Sequence, residues 1–319
     1  MRIDFDTLIK RLDNADDILI LMHQFPDGDT IGCAHALCRM LQSKGRRVKL
    51  GCNHEINKKY GYITSICKKE EFEEKYIIAV DVADFKLLGT KYTYLEGKID
   101  LCIDHHATNT DYADETYVDS SAAAACEIVY DIVNTMGEVD VESASALYTG
   151  ISTDTGCFKF DNTTPKTHII AARLMELGAT YGEINRIMFD TKKKSRILLE
   201  QKALESIIFD SDDKCAMLII TKEMRLSTGA DDADLEGITA LPRQVEGVLI
   251  GITIRERDDG IYKVSVRTHD PIDAAEFCSC FGGGGHKKAA GCEFHTSIDE
   301  AKKALLSAAQ KTLQKHGVI

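Results

Sequence analysis

Short apolar segments alternate with helical segments through the first 190 residues, and this alternation restricts the fold more than any other feature of the sequence. The apolar segments are typical of buried strands, and the helical segments carry apolar residues at helical spacing. Strands that alternate with helices form a largely parallel sheet with helices on its faces. We therefore predict an α/β domain at 1–190, with a mostly parallel sheet flanked by helices. The predicted strands are 17–23, 47–52, 76–82 and 99–104, and the predicted helices are 29–45, 121–137 and 164–178.

The pattern changes after residue 190, and this change, together with the length of 319 residues, favours a second domain. Residues 191–210 begin charged and end apolar with helical spacing, and we interpret them as a helical connector. Residues 211–319 are predicted to form a smaller α+β domain. Its predicted elements are strands at 215–221, 245–257 and 261–269, a hairpin turn at Asp258-Asp259-Gly260, and a closing amphipathic helix from Ser297.

The charge balance restricts the partners of the protein. Its 51 acidic and 39 basic residues give a net charge of −12, which argues against a broad surface for duplex nucleic acid. A small anionic ligand in a local basic pocket remains compatible with this charge, and so does an acidic metal site. No apolar run reaches the ~18 residues of a membrane span, and the N-terminus lacks the apolar core of a signal peptide. We therefore expect a cytoplasmic protein without membrane association.

The 11 cysteines show no repeated C-x-x-C spacing, and the closest pair is Cys278 and Cys280. Without a secretory signal, we interpret them as reduced thiols that pack as small apolar side chains. A zinc or redox site is the alternative interpretation.

Acidic residues and histidines follow the predicted strands of the first domain. In an open α/β sheet the carboxyl ends of parallel strands share one edge, where ligands bind. A further group lies in "TGISTDTGCF", which we interpret as two small-residue turns on either side of an acid. We therefore expect residues that are far apart in sequence to meet in one cleft. These residues are His23, Asp27 and Asp29 after the first strand, Asp81 after the third, Asp104, His105 and His106 after the fourth, and Asp154.

Several carboxylates in one cleft repel each other unless cations neutralise them. Imidazoles with carboxylates, and no thiolate in the motifs, form a ligand set that suits Mn²⁺ or Mg²⁺, with Fe²⁺ or Co²⁺ as alternatives. So many ligands favour two ions, the arrangement that stabilises the attacking and leaving oxygens of a phosphoryl transfer.

Each residue alone has a simpler explanation. Asp27 and Asp29 are typical of a turn or a helix cap, His23 of a buried histidine, Asp81 of a cap and Asp154 of an Asx turn. Their common position at one predicted sheet edge favours a shared metal site over several separate coincidences.

Four segments, "HQFPDGDTIG", "AVDVAD", "IDHH" and "STDTG", resemble in this order the four motifs of the DHH phosphoesterase superfamily. The segment "FGGGGHKKAAGC" at 281–292, preceded by "SVRTHD", resembles the DHH-associated C-terminal domain. Within the superfamily the chain is similar to the oligoribonuclease/pAp-phosphatase, or nanoRNase, branch. It departs from the family at Cys33, where the family usually has serine.

The resemblance implies two metal ions that share one carboxylate. It implies that Asp104 orients an imidazole, and that His106 faces the scissile phosphate as a general acid or hydrogen-bond donor. The implied ligands are His23, Asp27 and Asp81 for one ion, and Asp29, Asp81, His105 and Asp154 for the other.

The resemblance also implies a substrate-binding site in the second domain. A run of glycines lets backbone N–H groups approach a phosphate without interference from Cβ atoms, although alone it is typical of a flexible loop. We expect His286 and Arg267 to lie beside this loop. Arginine is well suited to bidentate contact with a phosphate. The glycines are Gly282, Gly283, Gly284 and Gly285.

Together these features predict a two-metal phosphoesterase, most simply with Mn²⁺, that hydrolyses short oligoribonucleotides to mononucleotides, pAp to AMP, or both. The alternative substrate is cyclic di-AMP or its linear product pApA. An alternative of another class is a nucleotide-binding regulator that kept the fold and lost the chemistry. We expect short single-stranded RNA or small nucleotides as partners and no duplex, with a homodimer as a habit of the superfamily.

Overall fold

The computed structural model describes residues 1–235 and 237–319. The chain divides into two units, Met1–Thr191 and Lys192–Ile319, and each unit contains one β-sheet. The α/β class predicted from the sequence is confirmed, with a parallel sheet in the first unit and a mixed sheet in the second. Within the described residues, we find no helix that is both long and apolar enough to cross a membrane.

The sheet of the first unit has five strands in the order β2-β1-β3-β4-β5, and all neighbouring pairs are parallel. The strands are β1 (Ile18–Leu21), β2 (Val48–Gly51), β3 (Tyr76–Val80), β4 (Leu101–Asp104) and β5 (Glu115–Val118). The helices are α1 (Phe5–Asn14), α2 (Gly28–Ser43), α3 (Gly61–Thr64), α4 (Ala125–Met136), α5 (Val141–Asp154), α6 (Pro165–Glu176) and α7 (Tyr181–Asn185). Strands β1 to β4 confirm the sequence prediction, whereas the short, partly polar β5 was not predicted.

Both faces of this sheet are buried, as expected for parallel strands. Because side chains alternate along a strand, neighbouring residues enter different cores. Ile18 and Ile20 pack into the core that includes residues of α2, α4 and α5. Leu19 and Leu21 pack into a second core that includes residues of the 3₁₀ segments Phe85–Leu88 and Thr90–Leu95. The sheet is therefore held from both sides, and its carboxyl edge is fixed in position.

Helix α5 corrects one sequence prediction, because Asp154 lies at the end of a buried helix and not between two turns. The polar composition of this segment concealed the helix. Thr149 Oγ1 donates to the Ser145 carbonyl at 2.8 Å, and Thr153 Oγ1 donates to the Thr149 carbonyl at 2.8 Å. Hydroxyl groups that bond back along the helix in this way are compatible with burial, and the Thr149 hydroxyl also contacts the Tyr62 hydroxyl at 2.8 Å.

The second sheet has six strands in the order β10-β11-β9-β8-β7-β6, and among the described strands β7 and β8 form the parallel pair. The hairpin predicted at Asp258-Asp259-Gly260 is confirmed, since Glu256 pairs with Tyr262 across it. The strands are β6 (Ile208–Asp210), β7 (Cys215–Ile220), β8 (Ile250–Glu256), β9 (Tyr262–Thr268), β10 (Gly284–His286) and β11 (Ala289–Phe294). The helices are α8 (Lys194–Glu205), α9 (Lys222–Thr228), α10 (Ala274–Ser279) and α11 (Ile298–Lys315).

The segment 191–210, predicted as a helical connector, contains α8 and also strand β6. Ser206 ends the helix, and its hydroxyl contacts the Ile219 carbonyl at 2.9 Å, so that the next residues align beside β7. Leu199 and Ala203 of α8 belong to a core that includes Leu218 of β7. Helix α8 thus packs within the second unit.

Candidate active site

The predicted cluster lies where the strand order of the first sheet reverses. From β1 the chain passes to β2 on one side and then to β3 on the other, so the carboxyl ends of β1 and β3 border a topological switch point. The loop after β1 carries His23 and Asp27, and Asp81 directly follows β3. Residues from two distant segments therefore meet in the crevice where open α/β sheets bind ligands.

One triad consists of His23, Asp27 and Asp81, whose candidate ligand atoms lie within 4.8 Å of one another. His23 Nε2 is 3.5 Å from Asp27 Oδ1 and 3.8 Å from Asp81 Oδ2. Two atoms that each bind the same cation at about 2.1 Å lie at comparable distances from each other, so these spacings fit a shared ion. Asp27 also caps α2 by accepting the backbone N–H of Asp29 and Thr30, so the helix-cap explanation and the metal site are compatible.

A second triad consists of Asp29, His105 and Asp154. His105 Nε2 is 3.8 Å from Asp29 Oδ2 and 3.7 Å from Asp154 Oδ2. The other ring nitrogen, Nδ1, is 3.2 Å from the Ala122 carbonyl, and a proton shared there leaves Nε2 unprotonated as a ligand. The contact with the carbonyl therefore directs Nε2 of His105, the candidate ligand atom, towards the carboxylates.

Asp29 is buried at the N-terminus of α4. Its carboxylate accepts the backbone N–H of Ala125 at 2.7 Å and of Cys126 at 2.9 Å. These two donors have no partner within the helix, and the positive end of the helix dipole stabilises negative charge there. Burial raises the pKa of Asp29, and the two hydrogen bonds from α4 partly offset this effect by stabilising the charged form.

Asp81 connects the two triads. Its Oδ2 faces His23, and its Oδ1 is 3.6 Å from His105 Nε2. Oδ1 is buried and has no hydrogen-bond partner among the described residues. The backbone of Asp81 has φ +57°, a conformation that non-glycine residues adopt mainly at functional sites. An orphaned carboxylate oxygen aimed at imidazole nitrogens fits a position beside a cation.

The carboxylates of the cluster repel each other, and either protons or cations would relieve this repulsion. Burial, together with repulsion from Asp29 and the other acids, raises the pKa of Asp81 well above its ordinary value. The same causes raise the pKa of Asp154 to about 7. Cys33 and Cys126 also lie beside Asp29, with their sulfurs 3.4 Å apart, but burial raises the pKa of both thiols. A set of oxygen and nitrogen ligands without thiolate suits Mn²⁺ or Mg²⁺ and does not resemble the cysteine-rich ligand set of a structural zinc site.

Asp104 is fully buried at the end of β4 and orients His106. Asp104 Oδ1 is 2.7 Å from His106 Nδ1, and Oδ2 accepts from Asn109 Nδ2 at 2.6 Å. The hydrogen bond that His106 Nδ1 donates to Asp104 raises the pKa of His106, which therefore keeps its proton to higher pH. The structure thus pairs Asp104 with His106 and not with His105, whose ring contacts the Ala122 carbonyl. Asn109 was not singled out from the sequence.

In the absence of divalent cations, we expect the free energy of unfolding to fall from about pH 5 to about pH 8. Raised pKa values of Asp81 and Asp154 mean that the folded state binds more protons than the unfolded state in this range. Rising pH removes these protons and leaves buried charges that repel. Urea unfolding midpoints in EDTA at stepped pH measure the effect. Asp154→Asn should reduce the slope, and a midpoint that is constant or rises with pH would contradict the prediction.

A separate polar surface lies on the second sheet. Arg267 on β9 and His286 on β10 both pair with Ala289 of β11, so their side chains share one face of the sheet. Gly251 of β8 pairs with Arg267, so a Cβ atom on Gly251 would point to this same face. That atom would lie 2.7 Å from the Arg243 backbone nitrogen, so Arg243 also lies on this face.

Arg243 and Arg267 form a pair of like charges. Burial and the charge of Arg243 lower the pKa of Arg267. Among the described residues, no carboxylate lies within ion-pair distance of either guanidinium. Two guanidinium groups without an acidic partner attract an anion such as a phosphate. Arg243 was not predicted from the sequence, because only the packing over Gly251 brings it beside Arg267, 24 positions away.

The glycine run is only partly the loop that we predicted, because Gly284 and Gly285 belong to edge strand β10. A Cβ atom on Gly283 would lie 2.2 Å from the Gly291 carbonyl oxygen, and Gly285 has φ +149°. Glycine is therefore required at these two positions by the close approach of β10 to β11. Gly282 and Gly284 have open space around the Cβ position, but Gly282 has φ +71°, which favours glycine there.

A parallel α/β sheet with two linked triads of acids and histidines at its switch point is typical of a metal-dependent phosphoesterase. The chain belongs to the DHH family. The family model described as DHH family, N-terminal domain, matches residues 17–151, and that of the DHHA1 domain matches residues 215–315. The family membership inferred from the four motifs and the glycine-rich segment is therefore confirmed.

Relatives are similar along nearly the whole chain. The bifunctional oligoribonuclease and PAP phosphatase NrnA of Thermus thermophilus is 30% identical over 95% of this chain and 92% of its own length. The structure of an exopolyphosphatase-related protein from Bacteroides fragilis has a TM-score of 0.83 at 24% identity, covering 96% of this chain and 95% of that one. The structure of exonuclease RecJ bound to manganese has a TM-score of 0.56 at 13% identity, covering 96% and 94%. The two structures share the fold.

Proposed function

We propose that the protein is a metal-dependent hydrolase that cleaves short oligoribonucleotides to mononucleotides and converts pAp to AMP. The observation that carries this proposal is the buried carboxylate of Asp81, which faces His23 with one oxygen and His105 with the other. One carboxylate that belongs to the first triad and also faces the second fits a two-metal site for phosphoryl transfer. The name of the Thermus thermophilus relative supports this choice of substrates.

The proposed ligands of the cations lie in the two triads. When bound, two divalent cations activate water and neutralise charge on the phosphoryl oxygens. We favour Mn²⁺, because the ligands are oxygen and imidazole nitrogen, and because the RecJ structure of the same fold contains manganese. The proposed ligands are His23, Asp27 and Asp81 for one ion, and Asp29, Asp81, His105 and Asp154 for the other.

His106 is the proposed proton donor to the leaving oxygen. Its Nδ1 is held by Asp104 at 2.7 Å, which fixes the orientation of the ring. The side chain is 45% exposed, so that the other ring nitrogen can reach a substrate. The hydrogen bond to Asp104 raises the pKa of His106 and so favours the protonated ring that a general acid requires.

The second unit is proposed to bind a terminal phosphate of the substrate. Arg267 and Arg243 supply two guanidinium groups without an acidic partner among the described residues, and His286 lies on the same sheet face. Gly284 exposes backbone that no packing or conformational requirement explains, whereas Gly282 has a positive φ and Gly283 and Gly285 are needed for the strand. A site that binds one end of the substrate favours short chains over long ones. The net charge of −12 agrees with this preference, because long nucleic acids bind through many cationic contacts.

Three further features belong to this proposal. The net charge favours single strands over duplex nucleic acid. Short RNA and mononucleotides arise from RNA turnover inside the cell, so we place the protein in the cytoplasm.

A homodimer is proposed from the family resemblance, and light scattering during size-exclusion chromatography tests it.

A matched substrate panel tests the function. We expect pApA and pAp to yield AMP in Mn²⁺ buffer while cyclic di-AMP stays intact, and His105→Ala serves as the inactive control. Chromatography of the products measures each rate. Preferential opening of cyclic di-AMP would assign the protein to second-messenger turnover. If none of the three is cleaved while the metals are bound, the proposed activity is wrong and a binding role replaces it.

A further inference from the structure

An exposed aromatic ring lies within the loop of the first triad. Phe25 is between His23 and Asp27, in the loop after β1, and its side chain is 71% exposed. An apolar ring left in water loses the stabilisation that burial would give it. Its position two residues from Asp27 places their Cα atoms at most about 7 Å apart. One nucleotide could therefore contact both the ring and the acidic cluster.

The ring of Phe25 is supported on one face. It stacks on the imidazole of His54, with ring centroids 4.8 Å apart and an interplanar angle of 20°. His54 is fixed in turn, since Nδ1 is 2.5 Å from the Gln24 carbonyl and Nε2 is 3.3 Å from Asn53 Nδ2. His54 follows β2, the neighbour of β1, so the pair lies at the same sheet edge as the triads. The exposed fraction leaves the opposite face of the phenyl ring to solvent.

The loop that carries Phe25 is anchored on both sides. The Gln24 N–H donates to the Leu87 carbonyl at 2.6 Å, and the Cys52 thiol donates to the His23 carbonyl at 3.4 Å. Pro26 restricts the backbone of Phe25 to extended conformations. The ring is therefore held in place before any ligand binds, which lowers the entropic cost of a contact with it.

We propose that Phe25, supported by His54, is the surface on which a nucleobase of the substrate stacks while the adjoining phosphate lies at the triads. This inference rests on the proposed function and deepens it by naming a specificity-determining residue. Aromatic rings bind bases of any sequence, because every base has a π-face. Phe25 would then distinguish nucleotides from sugar phosphates and inorganic phosphates without selecting a particular base.

A fluorescence experiment tests the contact directly. The chain contains no tryptophan, so Phe25→Trp introduces a single reporter. In a His106→Ala background with Mg²⁺, we expect pApA to quench its emission and a dinucleotide with abasic ribose in place of both bases to leave it unchanged. Phe209 is 44% exposed and lies on β6, at the opposite edge of the second sheet from β10. Phe209→Trp is therefore the matched control, and its emission should not respond. Equal quenching by both dinucleotides, or no quenching by pApA, would overturn the proposal.

Kinetics provide the second test. We expect Phe25→Ala to raise KM for pApA by about 5- to 100-fold and to change kcat by less than about twofold, because stacking binds ground state and transition state alike. Phe25→Tyr should restore KM, and the abasic dinucleotide should show no effect of either substitution. A loss in kcat at unchanged KM would refute the role of Phe25. If the wild type does not cleave pApA, the proposed function fails instead, whatever the variants do.

Discussion

Replacing Asp81 by asparagine is expected to lower kcat/KM for pApA by about 10³-fold or more. The charge stabilisation that a metal site supplies is several kcal/mol, and each ~1.4 kcal/mol corresponds to tenfold in rate. Asp81 faces both triads, with one oxygen 3.8 Å from His23 Nε2 and the other 3.6 Å from His105 Nε2. Asp81→Asn removes the negative charge from both positions while it preserves the size of the side chain.

Stability separates a metal defect from a folding defect in this variant. In EDTA at about pH 8, Asp81→Asn should unfold at a higher urea concentration than the wild type, because one of several repelling charges is gone. Added Mn²⁺ should stabilise the wild type and have little effect on the variant. The matched control is Asp84→Asn, since Asp84 caps the 3₁₀ segment Phe85–Leu88 and asparagine caps equally well. Activity within tenfold of wild type, with unchanged metal content, would exclude Asp81 as the shared ligand.

Removal of the His106 imidazole should lower kcat for pApA by about 10²- to 10⁴-fold, the usual contribution of a general acid. The loss should nearly disappear for a nucleotide p-nitrophenyl ester, because nitrophenolate leaves without a proton. The kcat of the wild type should fall as the pH rises above the ordinary histidine value, since the Asp104 hydrogen bond raises the pKa of His106. His106→Ala should lack this decline.

Two measurements check the assignment of His106. Asp104→Asn should move the decline in kcat to lower pH, since it removes the charge that raises the pKa of His106. His316→Ala, at the C-terminal cap of α11, is the control and should behave as the wild type. An equal loss on pApA and on the nitrophenyl ester would show that His106 does not donate the proton.

The strand ends of the first unit were predictable from the sequence, and so was the edge at which the triads meet. Asp81 and Asp104 each follow an uninterrupted apolar run, and parallel strands bring such ends together. The pairing of Asp104 with His106 could not be predicted, because it depends on which ring the turn after β4 brings to the carboxylate. That choice is one of side-chain geometry, which residue spacing does not specify.

Other features could not be predicted from the sequence, because their physical cause lies in tertiary contacts. Helix α5 looks like turns in sequence, since its hydroxyl groups find partners only once the helix has formed. Gly283 and Gly285 look like a phosphate loop, but the approach of β10 to β11 already requires glycine there. Arg243 and Phe25 carry no local signal, because only folding places one beside Arg267 and the other on His54.

The origin of the triads in widely separated segments has a consequence for biosynthesis. The second triad needs Asp154, which lies at the end of α5, after the last strand of the first sheet. A nascent chain that has emerged from the ribosome only as far as β5 contains His23 and Asp81 but lacks a complete second triad. If the two triads hold cations as proposed, loading with both is a late event in synthesis. Translation products that stop before α5 lack the proposed ligand Asp154, and we expect such chains to be inactive.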